Sequence, residues 1–87
     1  MELILMFTVY ILKSKMNGSY YVGSCKDVQI RFDQHNRKLV SSTKRYAPWD
    51  LIYEEMCDTL QEARKRERQI KAWKKRSAIE RLIASKI

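Results

Sequence analysis

The dipeptide Asn17-Gly18, set between two short apolar runs, constrains this chain more than any other feature. Phe7–Lys13 and Tyr20–Ser24 are rich in β-branched and aromatic residues. Asn-Gly between such runs is the strongest short-range signal for an antiparallel hairpin. If Asn17 and Gly18 form a two-residue loop, Met16 faces Ser19, and the residue numbers paired across the hairpin add to an odd total. Any odd total puts Tyr10 and Tyr21 on the same face of the sheet, because side chains alternate with period two. Gly23 shares that face and leaves space beside the tyrosines.

The remaining elements follow from caps and periodicity. Asp27 is a good N-cap for a helix running to about Arg37, with Val28, Phe32 and His35 as its buried stripe. Arg31 lies one turn before His35 on the adjoining edge. Residues 37–48 read as a polar, basic loop containing Ser41-Ser42-Thr43-Lys44-Arg45. Trp49–Cys57 reads as a third strand whose start is restricted by Pro48. Two capping boxes come next: Thr59…Glu62 opens one helix, and Ser77…Glu80 opens another with Ile79, Leu82 and Ile83 inward. The second box predicts a break after Arg76. The expected fold is α+β, a three-stranded antiparallel sheet (hairpin, helix, third strand) flanked by about three helices. It forms one domain over residues 1–87, with its core at about 7–83.

Glu67 sits where its helix should carry an apolar residue. Stepping about 100° per residue from Ala63 puts Ile70 at about −20°, Glu67 at about +40° and Leu60 at about +60°. The acid therefore lies within the apolar sector. An unpaired buried carboxylate is costly, so it needs a metal, a neighbouring cation or a catalytic role. Lys71, at i+4 in the favourable Glu-to-Lys order, offers an ion pair. All three readings stand at this point.

Charge narrows the choice of partner. Eighteen Lys and Arg against ten acids leave a net charge of +8, which favours a polyanion: nucleic acid or an anionic membrane surface. Cys25 and Cys57, with a single histidine, are too few for a zinc site; their spacing leaves a disulfide open, but they read more simply as reduced thiols. The apolar start is about half the ~20 residues of a membrane helix and lacks the flanks of a signal peptide. The expectation is a soluble, cytoplasmic chain with no membrane role and no linker or repeat. Met6 reads as a natural start, which makes residues 1–5 an extension.

Tyr10 and Tyr21 on one sheet face, Arg31 and His35 on one helix side, and an inward Glu67 are the parts needed to cut a phosphodiester. A base takes a proton from water, a cation holds the scissile phosphate, and a metal offsets charge on the leaving oxygen. Each residue also has a structural reading. Strand tyrosines pack and hydrogen-bond locally, Arg31 can be solvated, and a histidine beside an apolar stripe can be a core residue.

The chain resembles the small, stand-alone bacterial members of the GIY-YIG nuclease family. Thr8-Val9-Tyr10 stands for the first motif and Tyr21-Val22-Gly23 for the second. Arg31, His35-Asn36, Pro48-Trp49 and Leu51-Ile52-Tyr53 follow in order. Ala63 with Arg66-Glu67-Arg68-Gln69-Ile70-Lys71 resembles the helix that carries the family's metal-binding acid. The resemblance runs from about Phe7 to Ile83.

This resemblance implies an endonuclease that hydrolyses DNA phosphodiester bonds, with structure-specific cutting in repair or recombination as its setting. It implies that Glu67 ligates one Mg²⁺ or Mn²⁺ ion and that Arg31 binds the scissile phosphate. It further implies that Tyr10 is the base for the attacking water, that Tyr21 lines the site and that His35 assists proton transfer. Lys26, Arg37, Lys38, Lys44, Arg45, Lys71 and Lys74 are the expected nucleic-acid contacts, independent of sequence. Two departures stand out: Thr8 replaces the leading Gly, and Leu82 sits near the slot where many relatives carry an asparagine. Two other functions remain open, a silent nucleic-acid-binding module and a protein-interaction subunit whose partner supplies specificity.

Overall fold

The computed structural model describes residues 6–86, so the proposed extension at residues 1–5 lies outside them. Its elements are β1 (Phe7–Ser14), β2 (Tyr20–Cys25), α1 (Val28–Asn36), a 3-10 turn at Lys44–Tyr46, β3 (Trp49–Cys57), α2 (Leu60–Ala72) and α3 (Arg76–Ala84). The strands form one antiparallel sheet in the order β2-β1-β3. This is the α+β architecture that the sequence predicts.

The central strand explains the layering. Val9, Tyr10, Ile11 and Leu12 are at most 1% exposed, because β1 is covered on both faces. On one face Val9, Ile11, Val22 and Tyr53 pack with Ala63 and Ile70 of α2 and with Trp73, Ile79, Leu82 and Ile83. On the other, Tyr10, Leu12 and Trp49 pack with Tyr21 and with Val28 and Phe32 of α1. Fully burying each large side chain stabilises by roughly 1.5–3 kcal/mol. A β-bulge lets Ile11 pair with Tyr53 but Leu12 with Leu51, which leaves Ile52 unpaired and packed on the Val9–Ile11 side of the sheet.

The hairpin register differs from the expected one. Tyr10 pairs with Gly23 and Leu12 with Tyr21, so Tyr10 and Tyr21 do share a face. The connection is wider than a two-residue loop, however, with Ser14 bonded to Ser19 across residues 15–18. Side chains stabilise this wider loop. Ser14 Oγ accepts from the amides of Met16 and Asn17, and Asn17 Oδ1 accepts from the Ser19 amide and hydroxyl. Gly18 takes the left-handed conformation, φ 75°.

Helix boundaries follow the caps in two cases out of three. Asp27 accepts from the Ile30 amide at the start of α1, and Thr59 accepts from the Glu62 amide at the start of α2. The break before α3 comes earlier than predicted. Lys74 adopts φ 55°, ending α2, and Lys75 caps α3, so Ser77 falls inside the first turn. Glu80 then pairs with Arg76 at 3.0 Å, one turn behind it on the same helix. Leu60, the first residue of α2, remains 36% exposed.

Candidate active site

The site is built on the α1 face of the hairpin. Strand pairing places Tyr10 directly opposite Gly23, and Leu12 opposite Tyr21. The Tyr10 ring lies over the Gly23 Cα, where a Cβ would stand 2.6 Å from Cζ. Only glycine leaves that space. Tyr21 completes an aromatic group, its ring centroid 6.3 Å from that of Tyr10 and 5.1 Å from that of His35.

His35 is fully buried and bonded through both ring nitrogens. Nε2 lies 2.8 Å from Tyr10 Oη, and Nδ1 lies 2.7 Å from Thr43 Oγ1. The Thr43 hydroxyl donates to the Val40 carbonyl, so it accepts from Nδ1–H. That leaves Nε2 as acceptor for the Tyr10 hydroxyl. Burial, helped by the positive charge of Arg31, pushes the His35 pKa down to about 4. The imidazole is therefore neutral near pH 7. Burial also raises the Tyr10 pKa well above the ordinary phenol value, and the Arg31 guanidinium opposes that rise. In the free protein Tyr10 is a neutral phenol whose proton points at a neutral imidazole.

Arg31 is half-buried on α1, with Nη1 donating to Gln34 Oε1 at 3.1 Å. Its charge reaches Tyr10, His35 and Cys25. Burial raises the Cys25 thiol to about 11, so this thiol is not a ready nucleophile. Cys25 and Cys57 are both free, and strand alternation sets them on opposite faces.

Glu67 reaches the site from the other side of the sheet. It projects from α2, which packs on the Val9–Ile11 face, whereas Tyr10 lies beneath α1, the helix that carries His35. Its carboxylate meets the edge strand β2. Ser24 Oγ donates to Oε1 at 2.5 Å, and Lys71 Nζ pairs with Oε2 at 2.5 Å. Lys71 also lies 5.8 Å from the centroid of the Tyr21 ring. The two halves therefore meet around the edge of β2, along the line His35, Tyr21, Lys71, Glu67. The i+4 ion pair expected for Glu67 is present, and it sits at this junction.

The proposed nucleic-acid contacts are all exposed and fall in two groups. Lys26, Arg37, Lys38, Lys44 and Arg45 lie on the segments that flank α1, whereas Lys71 and Lys74 lie at the end of α2. Some are engaged: Arg37 pairs with Asp33 at 2.9 Å, and Arg45 lies over the Tyr46 ring.

Sequence reasoning missed two partners. Thr43 orients His35 and also accepts, through its carbonyl, from Trp49 Nε1. It sat in a Ser/Thr run with nothing to single it out. Ser24 anchors Glu67, and its only signal was its place directly after Tyr21-Val22-Gly23. Asn36 plays a structural part, since its side-chain amide bonds both backbone groups of Trp49 and so ties α1 to β3. Leu82 packs against the core on the α2 side and gives the site no polar group.

The donor set limits which metal can fit. Among the described residues no group of three or more His, Cys, Asp or Glu could cage an ion. Glu67 offers one carboxylate, its side chain 20% exposed, with one oxygen anchored and the other in an exchangeable pair. That suits a hard cation such as Mg²⁺, which keeps several waters and takes one or two carboxylates plus substrate phosphate. Glu67 is the residue that would hold it. No described helix is long and apolar enough to cross a membrane.

Comparison with known proteins agrees with this fold. The family model described as the GIY-YIG catalytic domain matches residues 6–80. UPF0213 proteins of Staphylococcus aureus strains Mu3 and Mu50 are each 46% identical to this chain over 66 residues, which is 75% of this chain and 79% of theirs. The solution NMR structure of a UPF0213 protein from Bacillus halodurans matches with TM-score 0.60 and 30% identity, covering 94% of this chain and 86% of that one. GIY-YIG domains are usually nuclease domains. By the extent of these matches, the chain belongs to the GIY-YIG catalytic domain family.

Proposed function

We propose that this protein is a metal-dependent endonuclease that hydrolyses phosphodiester bonds in DNA. One observation carries the reading. A buried phenol, Tyr10, lies 2.8 Å from the acceptor nitrogen of a neutral histidine, with Arg31 beside both. A phenol so placed can take a proton from an attacking water while passing its own to His35 Nε2. This relay avoids a free phenolate, which burial disfavours.

The other groups take complementary roles. Arg31 holds the scissile phosphate and offsets charge that grows in the transition state. Tyr21 lines the approach beside His35. Glu67 would hold a Mg²⁺ or Mn²⁺ ion, whose charge would favour the leaving oxygen. Lys26, Arg37, Lys38, Lys44, Arg45, Lys71 and Lys74 bind backbone phosphates without reading bases, so affinity falls steeply with salt. A second reading, a binding module without turnover, draws on Leu82 occupying the slot of a polar residue.

The test is cleavage of labelled duplex, flap, nicked and single-stranded DNA with Mg²⁺ or Mn²⁺. The reading requires cleavage that EDTA abolishes and that Glu67→Gln abolishes while fold and DNA affinity persist. The amide is isosteric but lacks the charge a hard cation needs. Parental cleavage by Glu67→Gln removes the metal assignment. Binding without cleavage by the parental protein on every substrate favours the silent module.

A further inference from the structure

Lys71 stands where an incoming cation would have to bind. Its Nζ is 2.5 Å from Glu67 Oε2, while Ser24 Oγ holds Oε1 at the same distance. The serine hydroxyl is neutral and leaves the carboxylate charge available, but the lysine neutralises it. Oε2 is thus the oxygen open to exchange, and Lys71 is the group that must leave. Its departure requires no rearrangement of the core: the lysine side chain is 48% exposed, against 20% for that of Glu67, so Nζ can return to water.

The lysine also has somewhere to go. Nζ already lies 5.8 Å from the centroid of the Tyr21 ring, which itself lies 5.1 Å from that of His35. In the proposed function that is where a nucleic-acid phosphate would sit, and an ammonium is drawn to phosphate as a point charge. A like-charged divalent cation and ammonium cannot both occupy Oε2. We propose that Lys71 is a removable counter-ion that keeps Glu67 closed to divalent cations until a phosphate-bearing polyanion draws it away. Cation entry at Glu67 and phosphate binding are then coupled, each favouring the other by the same factor. Lys71 acts here as a positioning residue. The inference rests on Glu67 being the cation's carboxylate, and the experiment separates the two ideas.

Mn²⁺ binding to the full chain, followed by electron paramagnetic resonance without nucleic acid, provides the readout. Lys71→Met, which keeps the aliphatic stem, should bind Mn²⁺ about tenfold more tightly than the parental protein, within the usual range of coupling between two sites. The double variant Lys71→Met/Glu67→Gln should lose that binding. Sulfate, standing in for phosphate at ionic strength held constant with chloride, should tighten Mn²⁺ binding to the parental protein and leave Lys71→Met unchanged. Equal Mn²⁺ affinity in parental and Lys71→Met proteins, with both dependent on Glu67, overturns the counter-ion role and leaves the metal assignment standing. Binding that survives Glu67→Gln, or no binding in Lys71→Met, overturns both. Sulfate acting equally on the two proteins overturns the coupling.

Discussion

The Tyr10 phenol rests directly on Gly23, so close that a Cβ there would lie 2.5 Å from its hydroxyl oxygen and 2.6 Å from Cζ. Tyr10 is 1% exposed on the central strand, so its ring has no open side to swing toward. Gly23→Ala must move the ring or the strand, and overpacking of this kind costs about 1–3 kcal/mol. Urea denaturation should show that loss, and cleavage should fall with it because the Tyr10–His35 bond is displaced. Parental stability and activity in Gly23→Ala would show that the close approach is absent in solution.

The two tyrosines should separate cleanly. Tyr10→Phe removes the hydroxyl that satisfies buried His35 Nε2, at a cost of about 1–3 kcal/mol. Tyr21 is only half-buried, so Tyr21→Phe should cost about 0.5 kcal/mol or less. Tyr10→Phe should also lower turnover more. Should Tyr21→Phe be the inactive variant while Tyr10→Phe cuts at the parental rate, the relay through His35 is not the route of the proton.

Arg31→Ala should reduce turnover far more than DNA affinity, because many other cations bind backbone. Loss of one such group from the transition state is worth roughly 2–4 kcal/mol. The same variant should let the His35 pKa rise from about 4, since Arg31 is the second cause of its depression. The chain has one histidine, so NMR titration reads it without ambiguity. Equal losses in affinity and turnover would mark Arg31 as a binding contact only.

Much of this was legible in the sequence where the physics is local. Asp27 and Thr59 cap their own helices, and strand alternation put Tyr10, Tyr21 and Gly23 on one face for any loop that keeps the pairing total odd, as both the expected and the observed loops do. The loop width was not legible, because Ser14 and Asn17 side chains offered the backbone bonds that a two-residue turn does not need. The break before α3 was misplaced because Lys74, not a glycine, takes the left-handed position. Helix periodicity turned Glu67 inward, but it could not tell that α2 covers the opposite face from α1. Only the tertiary pairing with Ser24 shows the acid at the edge of β2.

Left-handed lysines offer a test of the backbone. Lys38 adopts φ 63° just beyond α1, with its amide bonded to the His35 carbonyl and the Leu39 amide to that of Gln34. This is the Schellman arrangement, in which glycine avoids a steric penalty of about 1–2 kcal/mol. Lys38→Gly should therefore stabilise by up to about 1 kcal/mol after its greater chain entropy is subtracted. Thermal unfolding measures this. A destabilised Lys38→Gly would mean that the lysine side chain contributes more than its backbone costs.

The buried histidine should make stability depend on pH with a defined sign. His35 has a pKa of about 4 in the folded protein against 6.5 for a free imidazole. Between these values the unfolded chain takes up a proton that the folded chain refuses. Above about pH 6.5 the contribution is complete. As pH falls toward 4, stability falls by up to about 3 kcal/mol, and below 4 this group changes nothing further. Carboxylates titrate in part of the same range, so the comparison must be with His35→Gln, which lacks the titrating ring. Denaturation at a series of pH values from 4 to 8 should give a shallower curve for His35→Gln than for the parental protein. Parallel curves would mean that His35 protonates freely in the folded state. In that case burial would not be what keeps the acceptor of the Tyr10 proton neutral, and below about pH 6.5 the relay would lose its acceptor.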